Sequence, residues 1–312
     1  MKTISIDQLN DITSTTGKGF AATVGFFDGV HRGHRFLIEQ LKQLAERYHL
    51  PSLIITFPMH PRRVLPSRYQ PLLLNSFEEK LYRLSTTEVD YCHMLDFTSE
   101  LSDLSAKDFI QHILHRNLHI HHLLVGYDHR FGKGRVDGFE QYKAYGHICG
   151  MSVEKAIPLL VDDIPVSSSL IRKLIQKGDV KKAKELLSYH YVIEGTVVKG
   201  NQIGRSIGFP TANIELSEKN SLLPANGVYA TTVHMDHRSY QSMSYIGKRS
   251  SLFSNGDNRL EVHILDFDEN IYDKKLNLEF IDYIRDEITF ESIDDLKIQL
   301  ELDRMKANIQ NS

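Results

Sequence analysis

The chain has 312 residues, of which 41% are hydrophobic and 25% charged, and its formal net charge is −3. This length allows one large or two ordinary domains, and the small net charge argues against a protein built for bulk nucleic-acid binding. The two cysteines form no C-x-x-C motif, the N-terminus has no signal-peptide core, and no apolar run is long enough for a bilayer, so we expect a cytoplasmic protein without nucleic-acid or membrane partners.

The first half of the chain alternates predicted strands and helices. The apolar run Phe20–Val24 predicts a strand buried on both faces, and a helical pattern of leucines follows it. Two more buried runs and two more helical patterns come later, over residues 52–57, 105–117, 122–126 and 167–177. Such alternation predicts an α/β fold with a parallel sheet between helices, in which ligands bind beyond the carboxyl ends of the strands.

Residues 25–34, Gly-Phe-Phe-Asp-Gly-Val-His-Arg-Gly-His, join the first strand to its helix. His31 and His34 are three positions apart and therefore share a helix face. The first turn of a helix also presents unpaired backbone N–H groups and the positive end of the dipole. The segment therefore predicts a site for negative charge, such as a nucleotide triphosphate attacked at its α-phosphate. Close packing alone would also explain Gly33.

Three further polar motifs fall near the same predicted sheet edge. Residues 56–61 and 126–132 each follow a buried run, and residues 166–172 begin a helix. The serines of the last motif can cap backbone N–H groups, and Arg172 can bind phosphate in a forked geometry. Capping alone would explain the serines, but four polar motifs at one edge favour a nucleotide site.

After Leu187 the pattern changes to strands with little helix between them. Strands are predicted over residues 191–198, 227–235, 240–247, 259–267 and 276–284, and only residues 292–309 look helical. This pattern predicts an antiparallel barrel or sandwich. We place the boundary near residues 188–190, which divides the chain into residues 1–187 and 188–312.

Two segments of the second half carry candidate chemistry. Residues 199–213 are rich in glycine, which lets backbone approach phosphate closely, and end in Thr211 and Asn213. A hydroxyl and an amide oxygen are hard ligands that suit Mg²⁺ on a nucleotide. In residues 259–267, Glu261 and His263 share one face of a strand. The commoner interpretation of a strand carboxylate is a side chain that faces water.

The motifs of the first half, with residues 74–80 between them, resemble the adenylyltransferase module of the bacterial bifunctional riboflavin kinase/FAD synthetase family. The resemblance implies an α/β nucleotidyltransferase domain with a Rossmann-like parallel sheet that acts as an FMN adenylyltransferase. It implies that His31, His34 and Arg172 stabilise charge on the phosphates and the transition state. The implied ATP contacts are Gly25, Phe27, Asp28, Gly33, Asp128, Ser167 and Ser168.

The second half resembles the riboflavin kinase module of the same family, through the Pro-Thr-Ala-Asn sequence at residues 210–213. The resemblance implies a mainly antiparallel β-barrel with a C-terminal helix, a magnesium ion held by Thr211 and Asn213, and Glu261 as the base that takes the ribityl proton. The implied ATP contacts of the kinase are Gly200, Gly204, Arg205 and Pro210. The implied flavin contacts are Tyr229, Arg285, Glu287 and Phe290.

The chain departs from the family pattern at four places. Residues 248–253 replace a Pro-Thr-Phe-type loop, and Asp273 stands where a glycine is expected. His129 stands where the family usually has Phe, and Met59 where it usually has a polar residue. The first two departures lie in the kinase half and leave open a weakened kinase.

The sequence thus predicts a two-step enzyme. Riboflavin is phosphorylated to FMN by ATP with Mg²⁺, and FMN is then adenylylated by a second ATP to give FAD and pyrophosphate. The expected partners are riboflavin, FMN, FAD, ATP, ADP and pyrophosphate, with homo-oligomerisation left open. Three alternatives remain: an FAD synthetase with a weakened kinase half, an adenylyltransferase for pantetheine phosphate or nicotinate mononucleotide, and a non-catalytic flavin-sensing regulator.

Overall fold

The structure is a computed structural model that describes residues 1–63, 70–200, 204, 207–218, 220–248 and 258–310. The chain divides into two compact units, one of Met1–Pro71 with Phe77–Ser167 and one of Leu72–Ser76 with Ser168–Ser312. The compact units thus part at residues 167 and 168, and the predicted functional division after residue 187 stays a prediction. Within the described ranges, no helix is both long and apolar enough to cross a lipid bilayer.

The first unit is built on a six-stranded parallel sheet, which confirms the predicted α/β fold. Its strands lie in the order β1-β4-β3-β2-β5-β6. They are β1 (Lys2–Ile4), β2 (Phe20–Val24), β3 (Ser52–Thr56), β4 (Tyr91–Met94), β5 (Ile120–Val125) and β6 (Ser152–Lys155). A short antiparallel pair, β7 (Leu160–Val161) and β8 (Ile164–Pro165), follows. Every residue of β2 and β3 is buried because helices cover both faces.

Helices pack against the two faces of this sheet through separate apolar clusters. Phe20 and Leu53 face one cluster, whereas their neighbours Ala21 and Ile54 face the other, as the alternation along a strand requires. The helices are α1 (Ile6–Thr16), α2 (Arg32–Tyr48), α3 (Phe77–Ser85), α4 (Ser99–Asp103), α5 (Ala106–Asp108) and α6 (Phe139–Ile148), with 3₁₀ turns at Pro61–Arg63 and Lys133–Arg135. The helix predicted over residues 105–117 is present, but Phe109–Asn117 is π-helical.

The second unit contains a closed six-stranded antiparallel barrel, which decides between the predicted barrel and sandwich. The strand order is β10-β13-β12-β11-β14-β9. Among the elements with described bounds, two helices precede the barrel and one follows it. The elements are α7 (Ser168–Gln176), α8 (Val180–Leu187), β9 (Tyr191–Val198), β10 (Ala212–Leu216), β11 (Gly227–Met235), β12 (Arg238–Lys248), β13 (Asn258–Ile264), β14 (Lys275–Arg285) and α9 (Ile293–Gln310). Helix α9 covers an apolar cluster that includes Phe209, Met243, Leu265 and its own Ala307.

Candidate active sites

The turn between β2 and α2 is tightly wound and anchored by buried side chains. Phe27, Gly29 and Val30 have φ angles of 56°, 81° and 35°. The Gly25 amide donates to the Ile55 carbonyl at 3.0 Å, and the Val30 amide donates to the Phe27 carbonyl at 3.1 Å. The side chains of Phe27 and Val30 are buried. The predicted contact of Phe27 with ATP is therefore one that its backbone, and not its side chain, would make.

His31 and His34 form a stacked pair at the start of α2. His31 is the N-cap residue, and its Nδ1 accepts a hydrogen bond from the His34 amide at 3.2 Å. An acceptor Nδ1 assigns the ring proton of neutral His31 to Nε2. The two ring centroids are 3.7 Å apart with planes 17° from parallel. The pair therefore sits at the positive end of a helix, as the predicted anion site requires.

Gly33 is required by packing at this point. A Cβ atom at residue 33 would lie 2.8 Å from the Val166 carbonyl oxygen and 3.1 Å from the His31 ring. Both distances are tighter than ordinary van der Waals contact. The glycine therefore lets the first turn of α2 approach residue 166, and it keeps the His31 ring in its stacked position.

Three of the four predicted motifs meet at one sheet edge. Strand β2 lies between β3 and β5, and the strand order reverses direction there. Such a switch point opens a crevice beyond the carboxyl ends of the strands. The Thr56 hydroxyl donates to the Phe26 carbonyl at 3.3 Å, and the His60 ring packs 4.6 Å from the Phe26 ring. Asp128 follows β5 and is exposed. The edge thus combines the histidine pair with polar groups from both neighbouring strands.

Lys80 places a buried positive charge under this edge. Its side chain is 3% exposed, and Nζ donates to the Phe57 carbonyl at 2.7 Å and lies 4.0 Å from the centroid of the Phe26 ring. Burial lowers the pKa of Lys80 to about 8, against the opposing pull of the Asp28 carboxylate. The sequence predicts no separate role for Lys80. The sequence feature that could have revealed it is the position of this lysine on the apolar face of α3, in line with Phe77 and Leu84.

His129, which stands where the family usually has Phe, has a partly buried ring. The ring centroid lies 5.8 Å from that of Phe131. Burial lowers the pKa of His129 to about 4, and nearby Arg135 lowers it further, although Asp128 opposes both. The ring is therefore neutral at pH 7 and packs as an aromatic residue would.

The serine–arginine motif spans the division between the two units. Ser167 ends the first unit, and Ser168 begins α7 in the second. Arg172 also belongs to the second unit, where its Nε donates to the Leu72 carbonyl at 2.7 Å. This bond fixes the direction of the guanidinium group. The predicted action of these residues on ATP phosphates stays a prediction.

One row of directly paired residues crosses five strands of the barrel. Asn213 on β10 lies opposite Glu261 on β13, and Glu261 lies opposite Tyr245 on β12. Tyr245 in turn pairs with Val228 on β11, and Val228 with Arg285 on β14. Adjacent members of such a row are close enough to interact. The cross-strand row therefore links the predicted metal ligand, the predicted base and a predicted flavin contact.

The glycines before β10 bring backbone close to the predicted metal ligands. A Cβ atom on Gly200 would overlap the Asn213 amide, and one on Gly204 would overlap the Phe209 carbonyl oxygen and lie 3.4 Å from Thr211 Oγ1. The Gly204 carbonyl accepts from the Phe209 amide at 2.9 Å. Both glycines are therefore required by close approach. Arg205 and residues 249–253 of the altered loop lie outside the described residues.

Glu261 is held by a charged neighbour on its own strand. Its carboxylate forms an ion pair with Arg259, and its side chain is 13% exposed. Also on β13, His263 Nδ1 lies 2.7 Å from the Pro210 carbonyl oxygen, and burial is the main cause that lowers the pKa of His263. The base candidate and the Pro-Thr-Ala-Asn segment are therefore both fixed by contacts of β13.

A cavity of about 260 Å³ opens beside the Pro-Thr-Ala-Asn segment. Its walls combine apolar side chains with Thr211 and two acidic residues, Asp268 and Glu269. The sequence predicts Pro210 and Thr211 for this site but not the residues after β13. The wall includes Val197, Ala212, Ile264, Phe267, Ile271 and Tyr272. The cavity has the mixed lining typical of small-molecule sites.

Three of the four predicted flavin contacts form a connected cluster at the end of β14. Arg285 Nε and Nη2 donate to the fully buried Asp303 of α9 at 2.8–3.0 Å. The Arg285 guanidinium lies 5.9 Å from the Phe290 ring. Glu287 accepts hydrogen bonds from the Tyr245 hydroxyl at 2.5 Å and from Asn226 at 3.1 Å. Tyr245 and Asp303 are members of this cluster that the sequence does not predict.

Tyr229, the fourth predicted flavin contact, lies on β11. It is 0% exposed, and its hydroxyl donates to the Ala225 carbonyl at 2.6 Å. Its ring packs edge-on against Phe280 and Tyr283. In this structure Tyr229 therefore supports neighbouring side chains and does not present a surface to a ligand.

Two family models match the chain. One described as FAD synthetase matches residues 13–170, and one described as riboflavin kinase matches residues 187–310. The matches follow the order of the two candidate sites.

Similar proteins cover nearly the whole chain. A bifunctional riboflavin kinase/FMN adenylyltransferase from Haemophilus influenzae is 36% identical over 92% of both chains. Proteins of the same description are 34% identical in Listeria monocytogenes, over 97% of this chain and 96% of that one, and 32% identical in Escherichia coli K12, over 96% and 95%. A crystal structure described as a macrolide-efflux protein from Streptococcus pneumoniae matches with a TM-score of 0.84 and 32% identity over 99% of both chains.

Proposed function

The chain belongs to the bifunctional riboflavin kinase/FMN adenylyltransferase family, and from this premise we propose which residues carry out each of its two reactions. It is an enzyme that phosphorylates riboflavin to FMN and adenylylates FMN to FAD. We assign adenylyl transfer to residues 1–187 and phosphorylation to residues 188–312. The cross-strand row carries the kinase assignment, because it pairs Asn213 with Glu261.

Glu261 is the proposed general base of the kinase reaction. A base must reach the ribityl hydroxyl of riboflavin while the γ-phosphate is positioned beside it. The ion pair with Arg259 orients the Glu261 carboxylate, which supports this role. Arg285, Glu287 and Phe290 are then the proposed contacts at the flavin end of the site, and Tyr229 packs against the neighbouring Phe280 and Tyr283. Glu261 takes the proton of the ribityl hydroxyl, the hydroxyl oxygen attacks the γ-phosphorus of ATP, and ADP leaves.

Thr211 and Asn213 are the proposed ligands of a magnesium ion that accompanies ATP. A threonine hydroxyl and an asparagine amide oxygen are hard oxygen donors, and their closeness to Gly204 and Gly200 supports a fit for Mg²⁺ bound to phosphates. The ion, when bound, supplies neutralisation of phosphate charge. The proposed ATP contacts of the kinase are Gly200, Gly204, Arg205 and Pro210, of which Pro210 lines the 260 Å³ cavity.

His31, His34 and Arg172 are the proposed charge-stabilising groups of adenylyl transfer. An FMN phosphate oxygen is already an anion, so attack on the α-phosphate of ATP needs no general base. The Nε2 proton of His31 and the start of α2 can stabilise the charge that develops. The remaining proposed ATP contacts are Gly25, the Phe27 backbone, Asp28, Gly33, Asp128, Ser167 and Ser168. Pyrophosphate leaves as FAD forms.

A cytoplasmic location is proposed for the protein. Cys92 and Cys149 are both free thiols, which is typical of a reducing compartment. The substrates follow from the two activities and are riboflavin, FMN and ATP.

Two single variants test the assignment of residues. Glu261→Gln keeps the size of the side chain but removes the base, so we expect formation of FMN from riboflavin to fall about 10²- to 10⁴-fold. Formation of FAD from supplied FMN should be unchanged. His31→Ala should show the opposite pattern. Products are separated by chromatography after incubation with ATP and Mg²⁺.

Glu215→Gln is the matched control for the kinase site, because Glu215 is an exposed carboxylate of β10 on the same barrel. It should leave both reactions unchanged. If Glu261→Gln phosphorylates riboflavin at the wild-type rate, Glu261 is not the base. If His31→Ala abolishes both products, the proposed division of labour is wrong.

A further inference from the structure

His263 lies on the strand of the proposed base, at the point where the neighbouring strand ends. It is two residues after Glu261 and therefore shares its face of β13. It is 8% exposed, pairs with Met243 in the strand register and packs 5.3 Å from the Phe209 ring. The sequence places it beside Glu261 but assigns it no function.

In the hydrogen bond between His263 and Pro210, the histidine is the donor. The Pro210 carbonyl oxygen can only accept, so His263 Nδ1 carries a proton and donates it across 2.7 Å. This carbonyl belongs to the planar peptide whose nitrogen is that of Thr211. The hydrogen bond therefore fixes the plane from which the Thr211 side chain departs.

This hydrogen bond continues the sheet beyond its last backbone pair. The ladder between β10 and β13 begins with Ala212 opposite Val262. Continuing the antiparallel register would bring residue 211 opposite residue 263, but Thr211 lies before the strand. Pro210, the residue before Thr211, has no N–H group with which to extend the ladder further. At this step the His263 side chain takes over the role of a backbone pairing.

We propose that His263 is a positioning residue of the kinase reaction, which holds Pro210 and Thr211 so that ATP is presented to the Glu261 side of the barrel. The inference rests on the proposed role of Thr211 and Asn213 as holders of nucleotide and metal. His263 itself touches neither substrate. It acts through the Pro210 carbonyl, and its loss therefore weakens ATP binding more than proton transfer.

Substitutions of His263 that differ in where they place an N–H group test this role. The amide nitrogen of Asn is bonded to Cγ, as Nδ1 of His is. The amide nitrogen of Gln lies one bond further from the backbone, and Leu has no N–H group in its side chain. We expect the KM for ATP in riboflavin phosphorylation to rise about three- to tenfold in His263→Gln and His263→Leu. His263→Asn should stay within about twofold of wild type, as should the kcat and riboflavin KM of all three variants.

The second activity and a second histidine provide controls. FAD formation from supplied FMN should be unchanged in every His263 variant. His234 also makes two side-chain hydrogen bonds on the barrel, to Ser239 and Glu279, but none to Pro210. His234→Leu should therefore leave the KM for ATP unchanged. If His263→Leu does not fold, the comparison of Asn with Gln decides the question alone.

The inference is overturned if His263→Gln leaves the KM for ATP unchanged, or if His263→Asn is impaired as strongly as His263→Gln. A parallel fall in kcat and rise in both KM values would show a merely structural role, and would also overturn it. Thr211→Val tests the underlying assignment. If Thr211→Val raises the KM for ATP but His263→Gln does not, only the inference about His263 fails. If Thr211→Val leaves the KM for ATP unchanged, the proposed nucleotide site itself is contradicted.

Discussion

Lys80 shows how a single buried charge is linked to stability. Its pKa is lowered from 10.5 to about 8 because burial disfavours the ammonium, although Nζ keeps a hydrogen bond to the Phe57 carbonyl. The unfolded chain therefore binds more protons than the folded chain between pH 8 and pH 10.5. By linkage, the contribution of Lys80 to the free energy of unfolding increases as pH rises through this range.

Lys80→Met should remove this dependence. We expect the wild type to gain about 2–3 kcal/mol relative to Lys80→Met between pH 8 and pH 10.5, which corresponds to the size of the pKa shift. Urea unfolding of both proteins at each pH measures the difference. Lys143, an exposed lysine of α6, provides a control in Lys143→Met. A constant difference between wild type and Lys80→Met would contradict the linkage.

At the scale of elements, the start of α2 is set by its approach to residue 166. Gly33→Ala forces a Cβ atom to within 2.8 Å of the Val166 carbonyl oxygen and 3.1 Å of the His31 ring. We expect a loss of about 1–3 kcal/mol in the free energy of unfolding, typical of overpacking, and a marked fall in FAD formation. Urea unfolding and assays of both products measure the two effects. FMN formation should persist, and a variant that makes FAD normally would show that the packing is not needed.

Helix α9 is tied to the barrel by the ion pair between Arg285 and Asp303. Asp303 is 0% exposed and also accepts a hydrogen bond from Gln299 at 2.9 Å. Asp303→Asn leaves the Arg285 charge without its partner, so we expect a loss of about 3 kcal/mol in the free energy of unfolding. Because this cluster borders the proposed flavin end, the KM for riboflavin should rise as well.

Glu301→Gln is the matched control for this prediction, because Glu301 is a half-exposed carboxylate on the same helix. It should change stability by less than about 1 kcal/mol. Equal stability losses in Asp303→Asn and Glu301→Gln, measured by urea unfolding, would rule out a special role for the buried pair.

The sequence predicts some of these elements better than others. Continuous apolar runs predict β2 and β3, which are buried on both faces. Strand β10 has no such signal, because it follows a glycine-rich segment and is defined by its pairing with β9 and β13. The same pairing closes the barrel and excludes the sandwich that the strand pattern also allows.

At the scale of the whole molecule, each compact unit has its own apolar core. With the proposed assignment of one reaction to each half, we expect each reaction to proceed on a chain whose other site is inactive. We expect an equimolar mixture of His31→Ala and Glu261→Gln to make FAD from riboflavin much faster than either variant does alone. FMN released by the first variant is the substrate of the second. Chromatography of the mixture checks this, and the absence of FAD would require transfer of FMN within one chain.

The sequence by itself determines which chemistry this protein carries. The H-x-G-H turn, the Pro-Thr-Ala-Asn segment and Glu261 are local features, so their residue types and spacing can be recognised without coordinates. The resemblance of these motifs to the family implies the two-step flavin function, and the pattern of strands and helices predicts the fold class of each half; both predictions are confirmed.

Only the tertiary structure decides how these residues are held. The pairing of Asn213 with Glu261 and Tyr245, the bond from His263 to Pro210, and the buried contacts of Lys80 join positions far apart in the chain. Strand register and burial set such contacts, and neither is written in any short stretch of sequence. The H-x-G-H and Pro-Thr-Ala-Asn motifs therefore identify the two reactions, whereas long-range packing identifies the residues that position them.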